Sequence, residues 1–425
     1  MKKVLIIANL FHASPRIQGI AKYLPEFGWE PIILTVPIGD NPDVRPTCRY
    51  IEVPYKNMTK AKYERRSKMV KNNLKTGALK DFLYRQYQAI FCYPDAEKNW
   101  REPAIKKAND LFKNEKIEAI LSSSSPVTCH LIANELKVKY KIPWIADLRD
   151  LWTQNHNYRY GPIRKFIERH LEIKTLSMAD DLVTIAWPET ERLKLLHKRA
   201  TISTITNGFD PENINKDDAK LTTKFTITHT GVIYPGMQDL SKFFNALHDL
   251  ITDKTIPPDD IEVRFYGTDP RFLLSEVNEY GLASIIKIFE KVPRQTSLEK
   301  QRESQILLLP TWGGKQMTGH GLKLFEYLAA QRPILAIGLG NDTKREVLQE
   351  IGAGVYAKTP EDIKKVLNCF YTEYKQVGYV PYTGDTKKIN RYSHREMARN
   401  YVKILNNMPH ENNLKLKNII GNFKN

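Results

Sequence analysis

From Val4 to Tyr356, short apolar runs alternate with longer amphipathic stretches, and one polar run, PENINKDDAKLTTK at 211–224, interrupts the alternation. This is the pattern of helices packed on parallel sheets. Before the interruption, strands are predicted at Val4 to Ala8, Pro31 to Val36, Tyr50 to Val53, Ala119 to Ser122, Trp144 to Ala146, Leu182 to Ile185 and Thr201 to Ile205. After it, they are predicted at Phe225 to His229, Glu262 to Tyr266, Ile285 to Phe289, Gln305 to Leu309, Pro333 to Ile337 and Gly354 to Tyr356. Helical periodicity lies between them, for example at 15–27, 162–178, 240–251, 322–330, 344–351 and 361–371. The expected fold class is α/β, with an N-terminal domain at 1–210, a linker at 211–224 and a second domain at 225–388. A last helical segment, 391–407, follows the second domain and is expected to pack back on the first, leaving 408–425 as a tail. At about 150 residues per domain, 425 residues suit two or three domains.

Composition removes several classes. With 41 % hydrophobic and 27 % charged residues, the chain is neither disordered nor collagen-like. Cys48, Cys92, Cys129 and Cys369 lie far apart and outside any Cys/His cluster, so neither a disulfide framework nor a zinc site is indicated, and a reducing cytoplasm is expected. No window approaches the apolar length of a membrane span. The start, Met-Lys-Lys followed by Val4 to Asn9, is too short in its apolar part for a signal peptide and reads as the first strand. In the 162–178 helix, Ile163, Phe166, Ile167, His170 and Leu171 fall on one side, a stripe expected to face the core.

The net charge is +17, and ten Lys/Arg against two acids between Lys56 and Arg85 supply almost half of it. Such a run is either a solvated helix face or a surface for anionic headgroups or nucleic acid. No nucleic-acid recognition motif accompanies it, so an anionic membrane surface is the expected partner and nucleic acid is not.

Chemistry in an open parallel sheet belongs in loops after strands. The run 311–333, TWGGKQMTGHGLKLFEYLAAQRP, follows a strand with four glycines, Gly313, Gly314, Gly319 and Gly321, and then opens a helix near Leu322. Unsatisfied backbone N–H groups at such a start, beside Lys315 and Lys323, make a phosphate site. Glu326, one turn in, is placed for two ribose hydroxyls. In the first half, Asp147-Leu148-Arg149-Asp150 follows a strand directly; its charges either orient sugar hydroxyls, assist an acceptor hydroxyl, or pair with each other. Ser14 to Gly19, including Arg16, is the other loop on that side. Asn207-Gly208 reads as a turn, and Glu189 as a helix cap or a group approaching the cleft.

The runs KLFEYLAAQRPILAIG and VPRQTSLEKQRESQILLLP resemble the donor-binding half of retaining glycosyltransferases of the GT-B fold, the family 4 group that builds bacterial surface polysaccharides. Further matches follow in order at 22–35, 93–100, 123–133, 142–152, 206–210, 230–243 and 391–405, so the resemblance covers about 1–407. It implies two tandem Rossmann-like domains facing across a cleft and transfer of a sugar from a nucleoside-diphosphate sugar to a glycan or lipid-linked acceptor. By resemblance, Glu326 binds the ribose; Lys323 and the N–H groups of Leu324 and Phe325 hold the diphosphate, with Lys315, Gly319 and Gly321 around it. Val292 and Arg294 line the nucleobase, and Gly231 lets the chain pass close to the phosphates. Asp147, Arg149 and Asp150 lie near the transferred sugar, while Ser14, Arg16 and Gly19 face acceptor or sugar.

Two departures stand out: Thr318 occupies the position of a second acid, and the uncharged Met237 and Gln238 occupy a usually basic loop. Phosphate stabilisation then leans on Lys323, Lys315 or Lys242. No metal constellation or Asp-x-Asp triplet is present, so metal independence and no cofactor beyond the donor are expected. The departures also leave open a GT-B protein that binds a nucleotide or polyanion without turnover. A third reading is a sugar-nucleotide epimerase.

Overall fold

Runs that are apolar at successive positions have no polar face to give to water, so they are stable only where a sheet is covered on both sides. In the computed structural model, which describes residues 1–13, 15–56, 92–155, 158, 160–214, 220–312, 321–338 and 343–408, each predicted strand forms. The first sheet contains β1 (Lys2–Ala8), β2 (Trp29–Thr35), β3 (Tyr50–Glu52), β4 (Ala119–Ser124), β5 (Trp144–Leu148), β6 (Asp181–Thr184) and β7 (Ile202–Thr204). Its order is β3-β2-β1-β4-β5-β6-β7, and every pairing is parallel. The second contains β8 (Phe225–Thr230), β9 (Ile261–Tyr266), β10 (Ile286–Phe289), β11 (Ile306–Pro310), β12 (Ile334–Ile337) and β13 (Gly354–Ala357), in the order β10-β9-β8-β11-β12-β13, again parallel.

The period-2 alternation of a strand divides each run between two cores. Val4, Ile6 and Ala8 of β1 enter one cluster, and Leu5 and Ile7 the cluster on the opposite face. Likewise Ile306 and Leu308 of β11 pack on one side, Leu307 and Leu309 on the other. Each sheet reverses its winding direction once, between β1 and β4 and between β8 and β11. Ligands of open parallel sheets bind outside the carboxyl ends of the strands at such a reversal.

One compact unit holds Met1–Thr206 and the chain from Met397; the other is Asn207–Glu396. The His394–Asn407 helix contributes Met397, Ala398, Tyr401, Val402 and Leu405 to the first core. The polar run 211–224 is therefore not the boundary. Thr222 N–H donates to Glu303 O at 2.9 Å, Gln305 Nε2 donates to Thr222 O at 3.0 Å, and Ile214 packs on the second core, so both ends of the run are tied into the second unit.

The helix predicted at 162–178 forms as Pro162–Leu176 but with its faces exchanged. Ile163 is 78 % exposed, Phe166 65 % and Ile167 51 %, while Arg164, Glu168 and Glu172 are buried, and His170 is exposed rather than packed. Hydrogen bonds decide this orientation. Arg164 Nη2 donates to Cys92 O at 3.0 Å and Pro94 O at 2.9 Å, and its Nε donates to Glu168 Oε1 at 2.6 Å. Trp152 Nε1 donates to Glu168 Oε2 at 3.3 Å, and Thr153 N–H to Glu172 Oε2 at 3.1 Å. Two loops whose backbone carbonyls and N–H groups would otherwise lack partners are satisfied by the charged face.

Candidate functional site

At the carboxyl end of β8, the chain turns at Gly231 with φ +111°, a conformation few L side chains adopt. A Cβ at this position would lie 2.5 Å from Lys323 Cε, so glycine makes room for that lysine. Lys323 lies in the first turn of the Leu322–Ala330 helix, whose N-cap is Gly321. Its Nζ donates to Val232 O at 2.9 Å and approaches His229 Nε2 at 3.3 Å. His229 Nδ1 faces Leu308 O at 3.0 Å; a carbonyl only accepts, so Nδ1 carries the proton and Nε2 accepts from the ammonium. Burial, reinforced by Lys323, holds His229 well below the usual imidazole range and keeps it neutral. Burial also brings the Lys323 ammonium down to about 8, with Glu326 acting in the opposite direction. Among the described residues, these account for two of its three N–H groups.

Glu326, one turn along, is paired with Arg294 at the start of the Arg294–Arg302 helix. The structure thus brings Gly231, Arg294, Gly321, Lys323 and Glu326 to the β8/β11 reversal. Leu324 and Phe325 bury their side chains there, with their N–H groups in the helix start, and Val292 is half-buried in the loop after β10. Lys242 is directed elsewhere, donating to Lys358 O at 3.0 Å. Gln238 is also engaged: its Nε2 donates to Pro310 O at 2.9 Å and its Oε1 accepts from Tyr234 N–H at 3.0 Å. Lys315, Gly319 and Thr318 lie outside the described residues, as do Gly313 and Gly314.

At the β1/β4 reversal of the first sheet, Asp147 and Arg16 form an internal strut. Asp147 is 0 % exposed and Arg16 1 %. Arg16 Nη2 reaches Asp147 Oδ1 at 3.0 Å, Ile205 O at 2.8 Å and Tyr401 Oη at 2.8 Å, while its Nη1 donates to Thr206 O at 2.8 Å. Asp147 also accepts from Ser123 Oγ and Tyr401 Oη, each at 2.7 Å. Burial alone would raise the carboxyl, but Arg16, Tyr401 and Ser123 outweigh it and hold Asp147 below the usual range. Both expectations are corrected here. Asp147 does not reach a transferred sugar and Arg16 does not face an acceptor, because each is closed off by the other. Gly19 is buried within the Arg16–Tyr23 helix, and Ser14 lies outside the described residues.

Arg149 does not bridge the two aspartates. Its Nε donates to Ser123 Oγ at 3.2 Å, Nη2 to Ser125 O at 3.0 Å and Nη1 to His12 O. This leaves Asp150 exposed, on the wall of a pocket of about 240 Å³ that also includes Asp95, Trp152, Tyr158 and Tyr160. Carboxylates beside aromatic rings suit a polyhydroxylated ligand, which offers hydroxyl donors and apolar C–H faces. Glu189 does not cap its helix: the N-cap is Ala186, without a side-chain bond. It is buried, its Oε2 finds no hydrogen-bond partner among the described residues, and burial with Asp150 pushes its carboxyl up to about 8.

No protein-family model matches the sequence, and no curated protein matches it in sequence. Solved structures do match in fold. Anabaena HepE in complex with UDP and glucose aligns with a TM-score of 0.63 at 10 % identity, over 96 % of this chain and 100 % of that one. Sucrose-phosphate synthase from Thermosynechococcus elongatus aligns at 0.62 and 13 % identity, over 95 % and 98 %. The lipopolysaccharide outer core galactosyltransferase WaaB aligns at 0.53 and 13 %, over 94 % and 98 %. The chain has the GT-B fold.

Sequence reasoning missed several groups at these GT-B strand ends. His229 read only as a strand residue, and the Tyr266–Phe289 stack, 4.6 Å between ring centres, closes β9 and β10. Tyr234 and Trp312 pair across 5.1 Å. Tyr401, which completes the strut, is 254 residues from its aspartate. An aromatic or imidazole at the carboxyl end of a strand is the one local signal that could have marked the first three sites.

Proposed function

We propose that the protein is a retaining glycosyltransferase of the family 4 kind, metal-independent, moving a hexosyl or related unit from a nucleoside-diphosphate sugar to a hydroxyl of a glycan or lipid-linked acceptor in cell-surface polysaccharide synthesis. The observation that carries the reading is the constellation at β8/β11. A glycine cleared for a lysine, a helix N-terminus, and an arginine–glutamate pair supply phosphate donors and a hydroxyl acceptor at one end of the second sheet. Solved structures of like fold, HepE in complex with UDP and with UDP-glucose and the galactosyltransferase WaaB, support a nucleotide-sugar donor.

In this reading Lys323 and the N–H groups of Leu324 and Phe325 hold the diphosphate, with Lys315, Gly319 and Gly321 beside them. Glu326 takes the ribose hydroxyls, and Val292 and Arg294 border the base. The acceptor hydroxyl attacks the anomeric carbon on the leaving-group face. The new C–O bond forms as the bond to the diphosphate breaks, and the acceptor proton passes to the departing phosphate oxygen. The growing negative charge is met by donors already in place. In the first unit, the Asp150 pocket receives acceptor or sugar, with Arg149 fixing the loop. The protein works in the cytoplasm at the membrane face, with the basic segment Lys56 to Arg85, outside the described residues beyond Lys56, meeting anionic lipid.

A panel of UDP-, GDP- and ADP-sugars tested for thermal stabilisation checks the donor, since a ligand bound only by the folded state raises the melting temperature. Stabilisation by one nucleoside class, followed by sugar transfer to extracted lipid acceptor with anomeric configuration kept, is expected. The engaged amide of Gln238, where a basic residue is usual, favours the alternative of a binder without turnover; stabilisation with no transfer or hydrolysis would select it. Product formed from donor alone would select the epimerase.

A further inference from the structure

The exchanged faces of the Pro162–Leu176 helix leave an apolar surface on the outside. Ile163, Phe166, Ile167 and Ile173 are 78 %, 65 %, 51 % and 40 % exposed, and Met178 continues the stripe at 43 %. Isolated exposed apolar residues are ordinary, but several sharing one helix face are not. The charge on this outer side has one sign. Lys165, Arg169 and Lys174 are exposed, while both acids of the helix, Glu168 and Glu172, are buried against the protein.

We propose that this face lies on an anionic lipid bilayer. Apolar side chains flanked by lysine and arginine, with no acid among them, are the composition of a helix lying in the membrane interface. Lys165 and Arg169 border the stripe, where long stems can cover apolar surface while the charges reach headgroups. In an isolated interfacial helix the polar face turns to water. Here it is bonded to the loops at Cys92–Pro94 and Trp152–Thr153, so the helix is fixed in the protein with its apolar side out. A second copy of this chain fits less well: a symmetric pairing would set the same three cations against each other, between chains of net charge +17.

The consequence for the site is geometric. Trp152 and Glu168, which tie the helix to its loop, also line the Asp150 pocket. A helix with its side chains is about 10 Å across, so docking would bring the pocket within about that distance of the lipid surface. The inference deepens the proposed function by naming where a lipid-linked acceptor is met, and it rests on that reading for this role alone.

The test is flotation of the full-length protein with vesicles of phosphatidylglycerol and phosphatidylcholine, against phosphatidylcholine alone. Wild-type protein is expected to float with the anionic vesicles only. The triple variant Ile163→Glu, Phe166→Glu, Ile167→Glu should lose co-flotation while keeping its melting temperature, since the replaced side chains are exposed. Changing Lys165, Arg169 and Lys174 to Ala should leave weaker flotation that salt no longer diminishes as steeply. Flotation of the triple variant at the wild-type level overturns the proposal, also when reversing Arg65, Arg66, Lys68 and Lys71 to Glu abolishes it. So does absence of wild-type flotation at low salt, or a wild-type dimer in sedimentation velocity that the triple variant turns into monomer. Calorimetric titration of the same proteins with nucleotide-sugar reports on the function separately: donor binding without flotation removes the membrane face and leaves the glycosyltransferase reading standing.

Discussion

Each sheet carries an arginine–carboxylate pair at its reversal point, and the two differ in what surrounds them. Arg16 and Asp147 are 1 % and 0 % exposed, and further bonds from Ser123, Tyr401 and the carbonyls of Ile205 and Thr206 absorb the capacity left over. Arg294 and Glu326 are 33 % and 13 % exposed, and among the described residues the hydrogen bond that joins them is that of their ion pair. The same chemistry serves architecture where it is saturated, and in the proposed function it serves a ligand where it is not. A buried charge must be fully compensated to be tolerated, whereas a partly exposed pair can exchange one partner for substrate at lower cost.

The largest effect that could break this contrast is in stability. Asp147→Asn leaves a buried arginine without its counter-charge and should lower unfolding stability by about 3 to 5 kcal/mol, seen in the urea midpoint. Nucleotide-sugar affinity should not change. The acid limb follows in sign. Because Asp147 is held below its unfolded value, its contribution is complete above the ordinary carboxyl range and disappears as pH falls through the lower folded value, so the variant should lack that component of acid destabilisation. An Asn variant with wild-type stability would make the strut incidental.

Glu326→Ala should reverse the pattern. Losing a charge-assisted hydrogen bond costs about 1.5 to 3 kcal/mol, a tenfold to hundredfold weaker donor, with little change in melting temperature. Unchanged binding by calorimetry would remove Glu326 from the site and with it the functional half of the comparison.

These pairings also mark how far the sequence could be read. Strand positions were legible because burial on both faces forces a continuous apolar run, and Leu322–Ala330 because a glycine loop and an apolar stripe bracket it. The partners of charged groups were not. Arg149, two residues from Asp147, is the natural partner in sequence, yet the carboxylate belongs to Arg16, 131 residues away. The Pro162–Leu176 helix shows the same limit in another form: its periodicity defines two faces but not which one is covered. Hydrogen-bond demand from the 92–94 and 152–153 loops decides that, and no local pattern records it.

A smaller effect sharpens the open side. With its ammonium near 8, Lys323 is charged below that pH and progressively neutral above it. If it holds a diphosphate, donor affinity should be level on the acid side and about tenfold weaker at pH 9 than on that plateau, the behaviour of a single titrating group. A lysine in its ordinary range would show no change there. Calorimetry at a series of pH values, repeated on Lys323→Arg, separates the cases, because arginine stays protonated throughout and should flatten the profile. A sloping profile in the arginine variant would assign the titration to another group.

The smallest structural effect belongs to Asp150, three residues from the strut and its opposite in exposure. It stands on the wall of the aromatic-lined pocket, while Arg149 is engaged with Ser123, Ser125 and His12. Surface substitutions of this kind change stability by no more than about 0.5 kcal/mol, so Asp150→Asn should melt with the wild type and bind nucleotide-sugar equally well. Turnover should fall, because the amide keeps the shape but gives up the charge that aligns hydroxyl donors. Steady-state rates on extracted acceptor, alongside melting curves, distinguish the outcomes. A loss of stability comparable to that of Asp147→Asn would place Asp150 in the architecture after all. Full turnover with full stability would leave the pocket without a role in transfer and move the acceptor elsewhere on the first unit.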